Sequence, residues 1–337
     1  MRAASYIEPR AAWKVTLAGE DLTVKMSPRL ISLRLSERRG EEADELEITL
    51  HDTDGKVAPP PEGAVLAVAL GWDRGTGVTP GLVDKGTFTV DEVSWDGPPD
   101  KVTIRARSAD LKADFRTRRN KVWKDTTLRA MVDEIAGNHG LTARCHPHLA
   151  GKAITAAEQG NKSDMQFLRD LGRRYDATAT VKGGSLIFSP IGAATTATGA
   201  VLPGAVIPRT ECSSASWKRA AREKAQDGAE AQYHDPEAAV RKTVKKGGSN
   251  PRRLKRVYAS EGDATAAADA EAGRLKRAAA SFDLTLSLGN PALSPGMKIT
   301  ATGFKREIDA VTWLIASADH SMDAGGLKTS LQMEVAG

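Results

Sequence analysis

Apolar and polar residues alternate through much of the first third of the chain. Ile31, Leu33 and Leu35 alternate with Ser32 and Arg34. Leu46, Ile48 and Leu50 alternate with Glu47, Thr49 and His51. Leu66, Val68 and Leu70 follow Pro59-Pro60-Pro61-Glu62-Gly63. Phe88 and Val90 share one phase, Val93 and Trp95 the opposite one, and the break at Asp91-Glu92 predicts a bulge. Val102, Ile104 and Ala106 form a further alternating run. Period two means one buried and one wet face. Five such strands predict a small antiparallel barrel or sandwich over residues 1–114.

The middle changes period. Asp125-Thr126 can cap a helix whose Leu128, Met131, Val132 and Ile135 make one apolar stripe. Gly137 or Gly140 can end it. A second helix starts near Ser163-Asp164 and carries Phe167, Leu168, Leu171 and Tyr175. A hairpin follows, from Ala177 to Phe188 around Gly183-Gly184. Residues 115–190 therefore read as an α+β unit. The Ala/Thr/Gly-rich stretch that follows reads as a linker over 191–209. Residues 210–337 read as a second β domain. It opens with a strand in Thr210–Ala221, and residues 222–256 are a polar, basic loop. An Ala-rich helix spans 263–280. Phe282, Leu284, Leu286 and Leu288 then alternate, as do Val311, Trp313 and Ile315, and Leu327, Thr329, Leu331, Met333 and Val335 share a face.

The two β ends echo each other. Pro61-Glu62-Gly63 opens a strand ending at Gly71-Trp72, and Ser294-Pro295-Gly296 opens one ending at Gly303-Phe304. A Trp-bearing strand follows each, at Trp95 and Trp313. The spacings between these landmarks differ, so unrelated hairpins stand beside an internal duplication as readings. Duplication gives a β-rich α+β fold: two small antiparallel tube-type β-barrels with an intervening α+β unit. A trimer of such chains presents six similar domains in a pseudo-sixfold ring.

Composition narrows the classes. The chain's 337 residues fit two or three domains at roughly 100–200 residues each. Lys and Arg number 48 against 43 Asp and Glu, an excess too small to mark a nucleic-acid binder. Cys145 and Cys212 are the only cysteines, so there is no disulfide framework, and a reducing compartment is expected. The N-terminal residues form no apolar signal region. Ala64–Leu70, the longest apolar run, is too short to span a membrane. A soluble chain made in the cytoplasm is expected.

Candidate chemistry is sparse. His139, Cys145, His146 and His148 are zinc-ligand types, but their spacing fits no zinc motif and loop residues are the plainer reading. Cys145 beside His148 lacks an acid partner for nucleophilic work. His51-Asp52-Thr53-Asp54-Gly55 lacks the later ligands of a calcium loop and reads as a turn. Gly183-Gly184 and Gly247-Gly248 fit no phosphate loop. The basic stretch from Lys245 to Arg256 holds no aromatic residue and reads as a solvated loop or one meeting an acidic partner; Arg116, Arg118, Arg119 and Lys121 form a shorter run. No catalytic constellation emerges, which points to a structural or assembly protein. No metal or cofactor is expected.

Several segments together resemble the late control protein D family, the baseplate hubs of contractile phage tails, similar to the N-terminal hub part of VgrG proteins. The most specific is Gln159 to Ala177, with Phe167-Leu168, Leu171 and Tyr175. Trp123 to Leu128, Gly71-Trp72, Gly86 to Val90, Leu186-Ile187-Phe188, Asn290 to Gly296 and His320 fit in the same order. Asp176 stands where the family usually has Gly.

The resemblance implies a homotrimeric hub in the virion tail baseplate, of a phage or a tail-like particle. Barrel edge strands would pair across subunits, and the ring would join the hexameric tail tube to a trimeric spike. Implied partners are a tail tube protein ring, a separate spike protein, baseplate wedge proteins and the tape measure protein. Nucleic acid enters only as DNA passing through the channel, and no membrane insertion is implied. Tube-side contacts are expected on matching loops, at Asp73, Arg74 and Val83 and at Phe304, Lys305, Arg306 and Asp309. The competing readings are a tail-associated peptidoglycan hydrolase and a nucleic-acid-binding protein using 245–256.

Overall fold

The computed structural model describes residues 6–40, 43–108, 115, 117–219, 226–235 and 237–337. The first run holds β1 (Arg10–Leu17), β2 (Glu20–Asp21), the short α1 (Thr23–Met26), β3 (Leu30–Arg38), β4 (Glu45–His51), β5 (Val65–Arg74), β6 (Gly81–Asp96) and β7 (Lys101–Arg107). They pair antiparallel in the order β2-β1-β5-β6-β7-β4-β3. Val15 of β1 meets Leu33 and Leu35 of β3 in one core with Leu46, Ile48, Phe88 and Ile104, so the sheet curls on itself as a barrel-type layer. The bulge lies where the phase break predicts it, between Val90 and Glu92.

Gly71 is required by a close approach. A Cβ there would lie 1.8 Å from the Gly81 carbonyl oxygen across the β5–β6 hairpin. Gly71→Ala should cost about 1–3 kcal/mol by forcing these strands apart. A thermal melt reads it, and an unchanged midpoint would contradict the packing argument.

The middle unit holds β8 (Arg118–Thr127), α2 (Leu128–Asn138), β9 (Thr142–Cys145), the short α3 (Pro147–Ala150), β10 (Ala153–Ser163), α4 (Asp164–Tyr175), β11 (Ala177–Lys182) and β12 (Ser185–Pro190). β8 and β10 pair as a two-stranded ribbon, and β11-β12-β9 form a small sheet. α2 starts just after the expected cap, because Thr127 Oγ1 accepts from the Ala130 amide at 3.2 Å. α4 starts at the expected place, with Ser163 Oγ accepting from the Gln166 amide at 3.2 Å. Their apolar stripes share one core with Trp123, Leu186 and Phe188. Asp176 caps α4 with φ 51°, the left-handed region that favours glycine. That explains why a glycine suits this position.

The last third holds β13 (Ala205–Pro208), β14 (Cys212–Arg219), β15 (Gly228–Asp235), β16 (Val240–Gly247), β17 (Pro251–Tyr258), α5 (Glu261–Arg277), β18 (Ala280–Leu286), β19 (Lys298–Thr302), the short α6 (Arg306–Asp309), β20 (Thr312–Asp323) and β21 (Gly326–Val335). Two expectations change. The 191–209 stretch is not all linker, since β13 pairs in parallel with β19 and buries Ile207. The basic segment is not a loop. Its described residues form a three-stranded sheet, β16-β15-β17, against α5. Ala229 and Ala231 face Ala264 and Ala268, so the buried face is built from alanine and gives no apolar alternation to read. Residues 222–225, also assigned to that loop, and Arg116 of the short basic run lie outside the described residues.

The two β ends are one motif used twice. β3-β4-β7-β6-β5 has its counterpart in β14-β18-β21-β20-β19. Ile48 opposes Ile104 as Leu284 opposes Leu331. Val93 opposes Ile104 as Ala318 opposes Leu331. Leu66 opposes Phe88 as Ile299 opposes Trp313. Bulges recur at matching points, Leu30/Ser32 with Cys212/Ser214 and Val90/Glu92 with Ile315/Ser317.

The turns at Pro61-Glu62-Gly63 and Ser294-Pro295-Gly296 match as well. The Gly63 amide donates to Val90 O at 2.9 Å and the Val90 amide to Ala64 O at 2.8 Å. The Gly296 amide donates to Ile315 O at 2.9 Å and the Ile315 amide to Met297 O at 3.0 Å. Both glycines have positive φ, 77° and 90°, which explains the glycine in each motif. The differing spacings are thus absorbed in connections, while the ladders agree residue for residue. The β15–β17 sheet and α5 interrupt the second copy between β14 and β18. A second departure is that β1 joins β5 antiparallel whereas β13 joins β19 in parallel.

Candidate functional site

One continuous thirteen-stranded sheet contains both barrels, because β20 of the second pairs antiparallel with β3 of the first. Ser317 opposes Arg38, His320 opposes Leu35, and Met322 opposes Leu33. The long β20–β21 hairpin carries Met322 and Leu327 into the first barrel's core. Backbone and side chains therefore both cross the joint.

A buried polar cluster marks it. Lys85 Nζ donates to Glu37 Oε2 at 2.6 Å, and both side chains are about 5% exposed, at 4% and 6%. His320 Nε2 lies 3.1 Å from the same oxygen, and its Nδ1 lies 2.9 Å from Thr329 Oγ1. The Asn290 amide donates to Thr329 Oγ1 at 2.9 Å. His320 thus bridges Thr329 through Nδ1 and Glu37 through Nε2, with Lys85 Nζ also 3.3 Å from Nε2. Lys182 of the middle unit reaches Asp44 at 2.5 Å, while Asp44 Oδ1 accepts from the Arg38 amide at 3.0 Å. First barrel, second barrel and middle unit meet around these groups.

Their titration follows from the geometry. Burial opposes the Glu37 charge, but the His320 hydrogen bond and the Lys85 ammonium outweigh it and hold the carboxyl at about 2. Burial pushes Lys85 below the usual lysine range despite Glu37. Burial likewise pushes His320 down. A carboxyl whose pKa falls on folding stabilises the fold above its unfolded value, near 4.5, and loses that contribution as pH falls towards 2. The contribution is about 3 kcal/mol at neutral pH. Urea unfolding from pH 7 to 3 should show the loss, and Glu37→Gln should flatten it. An equally steep profile in Glu37→Gln would contradict the assignment.

A second set of ion pairs binds the remaining units. Arg277, 5% exposed in its side chain, spans Asp176 at 2.5 Å and Glu334 at 3.1 Å. Arg39 reaches Glu334 at 2.7 Å, and Arg174 pairs with Asp263. α5, α4, β21 and the end of β3 are thus tied together.

The anticipated contact residues fall in two places. Asp73 and Arg74 are exposed at the end of β5, Asp73 lying 3.9 Å from Arg10, and Val83 is half-buried in β6. Lys305 and Arg306 are exposed, whereas Phe304 packs edge-on to Phe282 and Asp309 accepts from the Gly303 and Phe304 amides at 3.0 and 3.1 Å. The first group flanks the β5–β6 connection and the second lies on the equivalent β19–β20 connection, so they sit on different barrels. Among the described residues no hydrogen bond or ion pair joins them.

The other candidate residues have local partners. Cys145 is buried and its thiol is pushed up to about 11 by burial, which disfavours a reactive thiolate. His139 Nε2 lies 2.8 Å from Asp164 Oδ2, and His146 Nε2 lies 3.0 Å from Thr195 Oγ1. The His51–Gly55 segment is a turn, closed by the Gly55 amide on Asp52 O at 2.8 Å. Among the described residues no three His, Cys, Asp or Glu side chains group as a metal site, and no helix is long and apolar enough to cross a membrane. The stretch 237–258 carries eight Lys or Arg and one acid, mostly exposed on β16 and β17.

Sequence reasoning did not single out Glu37 or Lys85. The available signal was Glu37, which falls in phase with Leu33 and Leu35 and so places a charge on a buried face.

Known proteins share this architecture. The chain is 36% identical over 365 residues to the probable baseplate hub protein of Escherichia phage 186, covering 96% of this chain and 92% of that protein. The 43 kDa tail protein of prophage MuSo2 from Shewanella oneidensis superposes with a TM-score of 0.67 at 13% identity, covering 95% of this chain and 97% of that one. The PdpA–VgrG complex of Francisella matches at a TM-score of 0.52 and 8% identity, over 98% of this chain and 58% of that one. A model of the phage tail baseplate hub family (GPD) matches residues 41–326. Its span includes most of both barrels and the whole middle unit, and by it the chain belongs to the phage tail baseplate hub family.

Proposed function

We propose that three copies of this chain form a ring of six barrels that joins a hexameric tail tube to a trimeric spike. Hub proteins of this family are virion tail components, so the ring's place is the tail baseplate. The observation that carries the reading is the in-register duplication with its covered β3–β20 joint. Two equivalent barrels per chain, already joined edge to edge, turn a threefold assembly into a sixfold surface. The sixfold end suits a tube ring and the threefold symmetry suits a spike.

The role is structural rather than enzymatic. The middle unit widens the ring towards wedge proteins, and the tape measure protein and DNA meet only its channel. Exposed Asp73, Arg74, Lys305 and Arg306, with the neighbouring Val83, Phe304 and Asp309, supply tube-side contacts.

Electron imaging of the isolated assembly tests this. Six lobes under threefold symmetry are expected, and a ring of another count would overturn the reading. Charge reversal at Asp73 and Arg74 should weaken docking to the tube protein; normal docking would remove those two from the contact set. A turbidity assay on bacterial walls should show no clearing, and clearing would bring back the hydrolase reading.

A further inference from the structure

We infer that the outer edge of Glu92–Asp96 in one subunit pairs with β14 of the next, and that Trp95 plugs the cleft beside Trp217 of the partner subunit. The inference rests on the trimeric reading and supplies its joint.

Among the described residues, two strand edges at equivalent points of the duplicated motif are open in the single chain. β14 pairs with β18 on one side and has no ladder on the other among the described residues. β6 pairs with β5 only as far as Thr89, so Glu92–Asp96 has β7 on one side and no ladder on the other. The duplication identifies these edges. β14 is the counterpart of β3, and Glu92–Asp96 is the counterpart of Ser317–Ser321 of β20. Within the chain those counterparts are already paired with each other, β3 of the first copy with β20 of the second. The open edges are therefore the two halves of the same joint, separated onto opposite ends of the chain.

The register follows without adjustment. Leu35 corresponds to Trp217, since Leu35 opposes Leu46 as Trp217 opposes Phe282. His320 corresponds to Trp95, since His320 opposes Thr329 as Trp95 opposes Val102. His320 opposes Leu35 at the covered joint. Trp95 must then oppose Trp217 of the partner subunit, with Ser94 opposite Lys218 and Val93 opposite Arg219.

Side chains support this placement independently. Trp95 is 59% exposed, unusual for so large an apolar group on an alternating strand. Among the described residues, the buried Trp217 indole N–H has no hydrogen-bond partner. Beside β14 lies an open cleft lined by Trp217, Phe282, Phe304 and Ile308. At the covered joint the comparable space is filled by Met322 and Leu327. An exposed tryptophan and an aromatic cleft at equivalent ends of one repeat complement each other. The new joint also differs in kind. Arg219 and Trp95 stand where the covered joint has Glu37 and His320, so a cation and an aromatic ring replace the buried ion pair.

Cysteine pairing tests the register in the full chain carrying Cys212→Ser. Ser94→Cys with Lys218→Cys should give disulfide-linked trimers on oxidation, and Ser94→Cys with Ser216→Cys should not. Trp95→Lys should leave the far-ultraviolet spectrum unchanged and reduce the assembly to monomers. A trimer by mass that fails to cross-link at 94/218, or that survives Trp95→Lys, overturns this joint while leaving the trimeric reading intact. A monomeric parent chain overturns the trimeric reading itself, and this joint with it.

Discussion

Lys85→Met should destabilise the chain by about 3–5 kcal/mol, because it leaves Glu37 ionised, 6% exposed in its side chain and with only the more distant Lys182 at 3.9 Å. The loss follows from the joint's construction. Glu37 is on β3, Lys85 on β6 and His320 on β20, so the carboxylate connects both barrels. Adding Glu37→Leu should recover most of the loss, since an apolar pair removes the buried charge altogether. Denaturant unfolding of the two variants measures both effects. A single variant within about 1 kcal/mol of the parent would mean that water or Lys182 already compensates Glu37.

Trp313→Ala should be comparably severe, about 3–5 kcal/mol. Trp313 is fully buried, packs on Phe282 at 5.1 Å between ring centroids, and donates from Nε1 to Ile308 O at 3.1 Å. Its loss opens a cavity and leaves the Ile308 carbonyl with backbone donors alone, the Val311 amide among them at 3.2 Å. Phe88 is its counterpart in the first barrel and is 1% exposed. Phe88→Ala should cost a similar amount without the lost indole hydrogen bond. Thermal melts of both decide it, and a smaller loss for Trp313→Ala than for Phe88→Ala would contradict the role given to the indole hydrogen bond.

Legibility in the sequence tracked side-chain chemistry. The strands around Leu33, Ile48, Leu66, Ile104, Leu284 and Leu331 were readable because their buried faces are branched or long aliphatic residues. β1 was not, because Ala11 and Ala12 dilute its alternation. β8 and β10 were not, because a two-stranded ribbon of Lys, Thr and Ala buries little beyond Trp123, Ile154 and Ala157. β15 to β17 rest on alanine packed against an alanine helix, which looks like neither a strand nor a core. The duplication was visible in its proline- and glycine-bearing turns at Gly63 and Gly296. Its register was hidden, since only ladder pairs reveal which residues correspond. The ionic joint was hidden for a related reason. Glu37, Lys85 and His320 lie far apart in sequence, and although Glu37 falls in phase with Leu33 and Leu35, nothing in the sequence names its partners. His320 alone stood out, as a late histidine resembling the hub pattern.

The proposed closure of this duplicated chain as a threefold assembly is tested by light scattering on the purified chain, alone and with the spike protein. A species of three times the 35.8 kDa chain mass is expected. A mass of 35.8 kDa in both conditions, at every concentration, would contradict it.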